Sequence, residues 1–212
     1  PRLSAMCHAY CVNHLLVGGH LERARLLAAE IEPIVRAGDV DFDQAAGVFY
    51  GVSWGLYALD DPRRALDFTE LDLDTALLHI AGSELGKMIA LASLSDVDDL
   101  LACLALAEQG FERVGEDGLP DLLLPAAVLA WRSGDVERAR RWLTAIRHAP
   151  KPTQNFIVTS IYRQLRNEIG LAPETPGEPL EQTWAEARAW MIDQRSRTAR
   201  TGPDQVGQPV DD

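Results

Sequence analysis

Apolar residues recur at spacings of three and four along most of the chain. The pattern is clearest in residues 21–35, 97–111 and 136–146. Such spacing places the apolar side chains on one face of an α-helix, and that face must be buried against a neighbouring element. β-branched residues seldom cluster or alternate, so strands are not expected. The pattern therefore predicts an all-α protein.

The apolar stripes and the turn residues between them divide the chain into successive helices. Residues 1–195 are expected to form one helical repeat domain. Residues 196–212, which are rich in Gly, Pro and polar side chains, are expected to form a disordered tail. The predicted helices span residues 3–17, 20–36, 42–58, 62–80, 83–94, 96–114, 120–132, 135–148, 153–169 and 178–195.

Four short phrases of similar composition separate the two helices of successive pairs, at residues 19–24, 60–65, 95–100 and 134–139. Gly in a last helical turn, followed by Asp at an N-cap, is how one helix ends and the next begins. The phrases recur at intervals of roughly 35 to 41 residues, which is typical of helical-hairpin repeats. We therefore predict about four antiparallel hairpins, stacked so that each buries the apolar stripe of its neighbour, and closed by C-terminal capping helices.

Composition and charge narrow the class of protein. The 212-residue chain is 47% hydrophobic and 25% charged, which excludes intrinsic disorder for most of its length. Its formal charge is −12, with acidic residues concentrated in 60–121 and an excess of basic residues in 122–166. Three cysteines are too few for a disulfide framework and predict a reducing, cytoplasmic location. No apolar run reaches the roughly 18 residues of a membrane helix, so no membrane contact is expected.

Two stretches resemble known families. Residues 134–139, with Ala127 before them and Pro150 after the following helix, resemble a tetratricopeptide repeat (TPR). Residues 184–190, Trp-Ala-Glu-Ala-Arg-Ala-Trp, are similar to a Trp-Ala-Glu-Gly-Arg-Ala phrase. That phrase lies near the end of the helical-repeat sensor region of large actinobacterial signal-transduction ATPases with LuxR-type or SARP-type DNA-binding modules. Ala187 stands where the family has Gly.

The resemblance implies a TPR-like α-solenoid that acts as a C-terminal sensor downstream of an ATPase, in signal transduction and transcription regulation. The start at Pro1 rather than Met is in keeping with a segment of a longer regulator. The chain contains no Walker A lysine, Walker B acid or DNA-reading helix of that family, so none of these roles is carried over.

Aromatic residues in one predicted first helix are candidates for ligand or partner binding. Tyr50, Trp54 and Tyr57 share a helical face, and His14 belongs to the neighbouring first helix. The first helices of stacked hairpins line the concave surface, where aromatic rings can stack on a sugar or anchor a partner helix. The alternative interpretation is that these rings pack between repeats.

A glycine stripe lies on the same predicted helix as the aromatic residues. Gly47, Gly51 and Gly55 are spaced by four, so they leave one side of the helix without side chains. Each glycine inside a helix costs about 1 kcal/mol relative to Ala. The stripe therefore indicates close backbone contact with a neighbouring helix or with a ligand.

Three soft potential ligands share one helical face near the start of the chain. Cys7, Cys11 and His14 could hold zinc or copper, but a structural site needs a fourth ligand, and His8 points to a different side. We favour packing of the small cysteines at a helix crossing. No metal and no cofactor are expected.

Basic residues cluster around the fourth predicted hairpin. Arg138, Arg141 and Arg147 are candidates for a docking surface for an acidic or phosphorylated partner, and a solvated face is the alternative. Direct nucleic-acid binding is not expected, because the chain is acidic overall and these arginines lack an aromatic platform or a reader helix.

The sequence therefore predicts a non-catalytic domain that binds a protein segment or a small effector. The resemblance adds a possible partner, an upstream ATPase module of the same chain. None of the five histidines sits in a recognised catalytic phrase. A structural or dimerisation module and an enzyme with a pocket hidden in its helical core remain the alternatives.

Overall fold

The computed structural model describes residues 2–36, 53–67, 81–111, 118–149, 156–170 and 178–200. Within these ranges the regular structure is helical and contains no strand, so the predicted all-α class is confirmed. The helices are α1 (Arg2–Val17), α2 (Leu21–Arg36), α3 (described over 53–57), α4 (Pro62–Asp67), α5 (Ala81–Leu94), α6 (Val97–Phe111), α7 (Leu119–Arg132), α8 (Val136–Arg147), α9 (Phe156–Ile169) and α10 (Leu180–Arg200).

Every predicted helix overlaps one of these elements, but the last helix is longer than expected. We predicted disorder from residue 196, whereas α10 continues to Arg200. In that extension the Ser196 hydroxyl donates to the Ile192 carbonyl at 3.1 Å, and Arg197 pairs with Asp193 one turn earlier. Polar residues that suggested a tail are thus equally suited to an exposed helix. The remaining part of the predicted tail, 201–212, lies outside the described residues.

The same tight turn joins the helices of three hairpins, α1–α2, α5–α6 and α7–α8. One residue in each turn has a positive φ, which is 82° at Gly19, 60° at Ser95 and 82° at Gly134. The next N–H donates to a carbonyl five residues earlier, the Schellman arrangement that ends a helix. These hydrogen bonds are His20 to Leu15 at 2.8 Å, Asp96 to Leu91 at 3.0 Å and Asp135 to Ala130 at 2.9 Å.

Aspartates then begin the second helix of three pairs, as the phrases predicted. The side chains of Asp61, Asp96 and Asp135 each accept a hydrogen bond from the backbone N–H three residues later, at 3.3, 3.3 and 3.1 Å. This contact satisfies one of the donors that the first turn of a helix leaves without a partner. The repeated phrases are therefore repeated helix boundaries.

The core is centred on α7, in which residues 122–130 are all buried. Helices α5, α8, α9 and α10 surround α7, which explains why it is apolar on every side. Helix α10 returns across α6, α7 and α8 and buries Ala187 and Met191 there. Helix α9 contacts α1 as well as α7 and α8, so an early helix and a late helix of the chain meet.

Two glycines allow helices to pack unusually closely. A Cβ atom on Gly55 of α3 would lie 2.5 Å from the Leu16 Cδ2 of α1. A Cβ atom on Gly86 of α5 would lie 2.8 Å from the Trp54 Cβ of α3, and closer still to the indole ring. The predicted close approach at Gly55 is thus present, while Gly47 and Gly51 lie outside the described residues.

Candidate ligand-binding pocket

A pocket of about 190 Å³ opens where α9 lies against the α1–α2 turn and the α3–α4 turn. Its wall is mixed, with apolar side chains, amides and charges of both signs. The lining residues are Leu16, Gly19, Leu21, Leu59, Asp60, Trp131, Ser160, Arg163, Gln164, Asn167 and Glu168.

The C-terminal ends of three helices reach this pocket, and α9 lies along it with one side, from Ser160 to Glu168. Leu16 is the penultimate residue of α1, and Asp60 lies in the turn after α3. Trp131 is the penultimate residue of α7, and Glu168 is the penultimate residue of α9. Each C-terminus leaves carbonyl oxygens without partners inside the helix and carries a partial negative charge. In α1 and α7, however, the N–H groups of the following turns bind carbonyls of the last helical turn, so these acceptors are already occupied.

Side chains from neighbouring helices bind the carbonyls at two of these ends. Arg163 of α9 donates to the Val17 carbonyl at the end of α1. Three further side chains donate hydrogen bonds to backbone carbonyls at the α3 end. The donors and acceptors are Gln164 to Gly55 at 2.9 Å, Arg25 to Leu56 at 3.2 Å, and Arg132 to Leu59. These contacts hold α2, α7 and α9 against the end of α3 and so fix the shape of the pocket.

The remaining polar groups are ordered by contacts of their own. The Gln164 amide nitrogen also lies 3.2 Å from the hydroxyl of Ser160, which is buried. Asp60 forms an ion pair with Arg25. The Arg132 guanidinium lies 4.3 Å from the centroid of the Trp131 ring, within the range of a cation–π contact. The pocket thus combines an aromatic ring with polar groups that are held by contacts within the protein.

Trp54 and Tyr57, two of the residues predicted to line an open groove, lie outside the set that lines the pocket. Trp54 is only 2% exposed and packs on Gly86, and Tyr57 is 7% exposed beneath the Arg64 guanidinium. Burial raises the pKa of the Tyr57 hydroxyl, an effect that the nearby Arg64 charge opposes. This burial favours the packing interpretation of both rings, and their role in binding stays a prediction.

The structure describes one of the other two residues of the predicted groove. Tyr50 lies outside the described residues. His14 is exposed near the end of α1, outside the set of residues that line the pocket.

The cysteines of α1 do not pack at a helix crossing, so that expectation is wrong. Cys7 and Cys11 are exposed free thiols, because the buried face of α1 is formed by Ala9, Val12 and Leu16 instead. In the described parts of the chain, no three His, Cys, Asp or Glu side chains are grouped closely enough to hold a metal ion.

Two of the three predicted docking arginines contact α10 of the same chain. Arg141 pairs with Glu186, and its Nε lies 3.8 Å from a Glu178 oxygen. Arg138 lies 3.8 Å from Glu186, pairs with Asp135, and stacks 5.2 Å from the Trp190 ring. Both arginines thus have acidic neighbours within the chain, and their docking role stays a prediction. Arg147 is exposed at the end of α8, and its docking role stays a prediction.

The sequence analysis did not identify the pocket residues as a group. Asp60 belongs to one of the repeated phrases, but Trp131, Arg163 and Gln164 belong to helical stripes that carry no site pattern. The pocket forms because α9 meets α1, and the hydrogen bond between Arg163 and Val17 joins residues 146 positions apart. Contacts between residues so far apart in the chain cannot be inferred from the spacing of residues within one helix.

Comparison of the chain with protein families, with curated proteins and with solved structures yields no match. The case for a function therefore comes from the geometry. Among the described helices, none has the length and apolar character needed to cross a bilayer.

Proposed function

We propose that this chain is a non-catalytic helical-repeat domain that binds a small effector or a short protein segment in the pocket between α1, α3, α7 and α9. The observation that carries the proposal is the pocket itself. It joins a tryptophan of α7, amides and charges of α9, and Asp60 of the turn after α3 in one cavity. A ligand there contacts segments that are distant in sequence and so stabilises one packing of the helices over another.

The hairpin organisation supports a TPR-like α-solenoid. Three hairpins use the same Schellman turn, and three second helices begin with the same aspartate cap. The phrase at 184–190 favours a place in a signal-transduction ATPase regulator, where this domain restrains or releases an upstream ATPase and thereby transcription. The free thiols of α1 suit a reducing, cytoplasmic location.

The contacts of the pocket favour recognition over reaction. Arg163 and Gln164 are engaged in binding helix-end carbonyls, and Asp60 is engaged with Arg25. Groups used in this way hold the wall in place and present their remaining hydrogen-bonding positions to a ligand. An enzyme with a pocket in its helical core remains an alternative, and turnover of a bound ligand would establish it.

A thermal-shift screen with small metabolites tests the proposal. A ligand at 100 times its dissociation constant stabilises the folded state by about 2.7 kcal/mol, which raises the melting temperature of a domain of this size by roughly 5–10 °C. We expect the shift to be lost in Trp131→Ala and in Asn167→Ala, since both side chains line the pocket.

Glu181→Ala on α10 is the matched control, because Glu181 is exposed and lies outside the pocket lining. Asn167→Ala distinguishes loss of binding from misfolding, because Asn167 is exposed and its truncation is expected to leave the fold intact. A ligand whose shift is the same in the wild type and in both pocket variants would contradict the assignment of the site.

A dimerisation module is the second candidate, favoured by the outer face of α1. That face exposes Tyr10 at 45% and Val17 at 38%, together with both thiols. Sedimentation of the wild type and of Tyr10→Ser under reducing conditions decides between the two candidates. A concentration-dependent dimer that Tyr10→Ser dissociates would support this alternative, and a monomer at all concentrations would dismiss it.

A further inference from the structure

We propose that Cys7 and Cys11 form half of a zinc site, which a second copy of this chain completes with the same two residues. The zinc ion is bound by four thiolates and joins two copies through the outer faces of their α1 helices. The inference goes beyond the proposed function, because it does not depend on the pocket. It uses the same face of α1 as the second candidate function, a dimerisation module, and it names the metal that holds the two copies together.

The two thiols are placed to hold one metal ion between them. Cys7 and Cys11 are exposed and lie at positions i and i+4 of α1. Residues at this spacing have Cβ atoms about 5–6 Å apart on one side of a helix. The same spacing places both histidines of an H-E-x-x-H helix on a single zinc ion. Zinc with bonds of about 2.3 Å to sulfur holds two thiolates about 3.8 Å apart, a separation that two exposed side chains reach by rotation.

One chain supplies only two of the four ligands that a closed zinc site requires. Structural zinc is bound tetrahedrally by four Cys or His side chains. In the parts of the chain that the structure describes, no third His, Cys, Asp or Glu joins the two thiols in a group able to hold a metal, and this includes the exposed His14. A two-fold axis repeats every ligand, so two copies that meet at this face supply four thiolates.

The surface around the thiols suits contact with a second copy. The chain has a formal charge of −12, which makes two copies repel each other. Helix α1, however, contains no Asp or Glu, so its outer face adds no negative charge. Tyr10 is exposed beside Cys11, and the centres of interfaces are enriched in tyrosine and depleted of charged residues. Two copies can therefore approach at α1 with less repulsion than the net charge implies.

The spacing of the thiols favours a metal over a disulfide within one chain. A disulfide requires Cβ atoms about 3.8 Å apart, so closing one between Cys7 and Cys11 would distort α1. Zinc leaves the helix intact. It is also redox-inactive and binds thiolates without an oxidant, so the site is compatible with the reducing location that we propose.

Sedimentation of the full chain tests the inference. The protein is first freed of metal with a chelator and kept in a phosphine reductant, which holds the thiols reduced. Zinc is then supplied at one equivalent per two chains, in the presence of citrate to keep weak surface sites empty. We expect the apparent mass to double, with one zinc ion in each dimer. Cobalt(II) in place of zinc should give the intense visible absorption of a tetrahedral thiolate site.

Single substitutions identify the ligands. Cys7→Ser and Cys11→Ser should each abolish the zinc-dependent doubling of mass, because each removes two of the four thiolates. Both residues are exposed, so these changes are expected to leave the fold intact. Cys103→Ser is the matched control, because Cys103 belongs to α6, and this variant should dimerise with zinc as the wild type does.

The outcomes separate this inference from the two candidate functions. A mass that stays monomeric with zinc overturns the inference, and so does one zinc ion bound by each monomer. Zinc-dependent dimerisation that persists in Cys7→Ser or in Cys11→Ser overturns the assignment of the ligands. A dimer that forms equally with and without zinc supports the dimerisation module and overturns the metal bridge. The pocket is tested separately, by the thermal-shift screen.

Discussion

Replacement of Gly86 by alanine should destabilise the protein, although alanine is the better helix former. Gly86 is buried in α5 against Trp54 of α3. The new Cβ would lie 2.8 Å from the Trp54 Cβ, whereas carbon atoms pack at about 3.5–4.0 Å. Because the Trp54 Cβ is fixed to the α3 backbone, a new rotamer cannot relieve this contact. The whole of α3 must instead move away from α5 by nearly 1 Å.

The expected magnitude is a balance of two opposing effects. Alanine in place of glycine in a helix interior stabilises by about 1 kcal/mol. Overpacking of a well-filled core costs typically about 1–3 kcal/mol, and a contact that requires backbone movement belongs to the upper part of that range. We therefore expect the free energy of unfolding to fall by about 1–2 kcal/mol.

Urea denaturation followed by far-UV circular dichroism measures this change. Gly55→Ala is the matched control, because its Cβ would lie nearest to the Leu16 Cδ2, the far end of a flexible side chain. That side chain can turn aside, so Gly55→Ala should cost less than Gly86→Ala. In a Trp54→Leu background, which retains the Cβ, Gly86→Ala should remain destabilising. A Gly86→Ala protein about 1 kcal/mol more stable than the wild type would refute the reasoning.

Three further predictions concern a turn, a buried hydroxyl and an ion pair. Ser95→Gly should raise the free energy of unfolding by up to about 1 kcal/mol, because Ser95 has a φ of 60°, and urea titration measures it. Burial raises the pKa of Tyr162, whose hydroxyl has no partner among the described residues, so stability should fall as the pH rises above about 10. Tyr162→Phe should flatten that fall in thermal melts between pH 7 and 11, and an unchanged slope would contradict it. Glu186→Gln should lower the free energy of unfolding by about 0.5–1 kcal/mol at low salt and by little in 1 M NaCl, because its ion pair with Arg141 is partly exposed. Urea titrations at both salt concentrations measure this difference.

The helices and their caps could be predicted because their determinants are local. Asp135 caps α8 through a backbone N–H only three residues away, so a short phrase contains the whole interaction. The end of α10 was misjudged because polar composition is compatible with both a tail and an exposed helix. The structure shows the exposed helix, with the Arg197–Asp193 pair in its last turns.

The candidate site could not be predicted because its determinants are distant in sequence. The pattern that places Trp54 on an apolar helix face does not distinguish a groove from a core, and the structure buries the ring. Likewise, the charge of Arg141 was visible, but its pairing with Glu186 on α10 was not. The pocket itself requires α9 to meet α1, a contact that no local spacing encodes.

The contact between α9 and α1 affects how the protein unfolds. In an open array of repeats each unit touches only its neighbours, so the ends can fray while the middle persists. Here the Arg163–Val17 and Gln164–Gly55 hydrogen bonds join α9 to α1 and α3, so neither α1 nor α9 can detach without exposing the other. Unfolding should therefore be a single cooperative event. Refolding should be slowed by the search that reunites two remote segments of the chain.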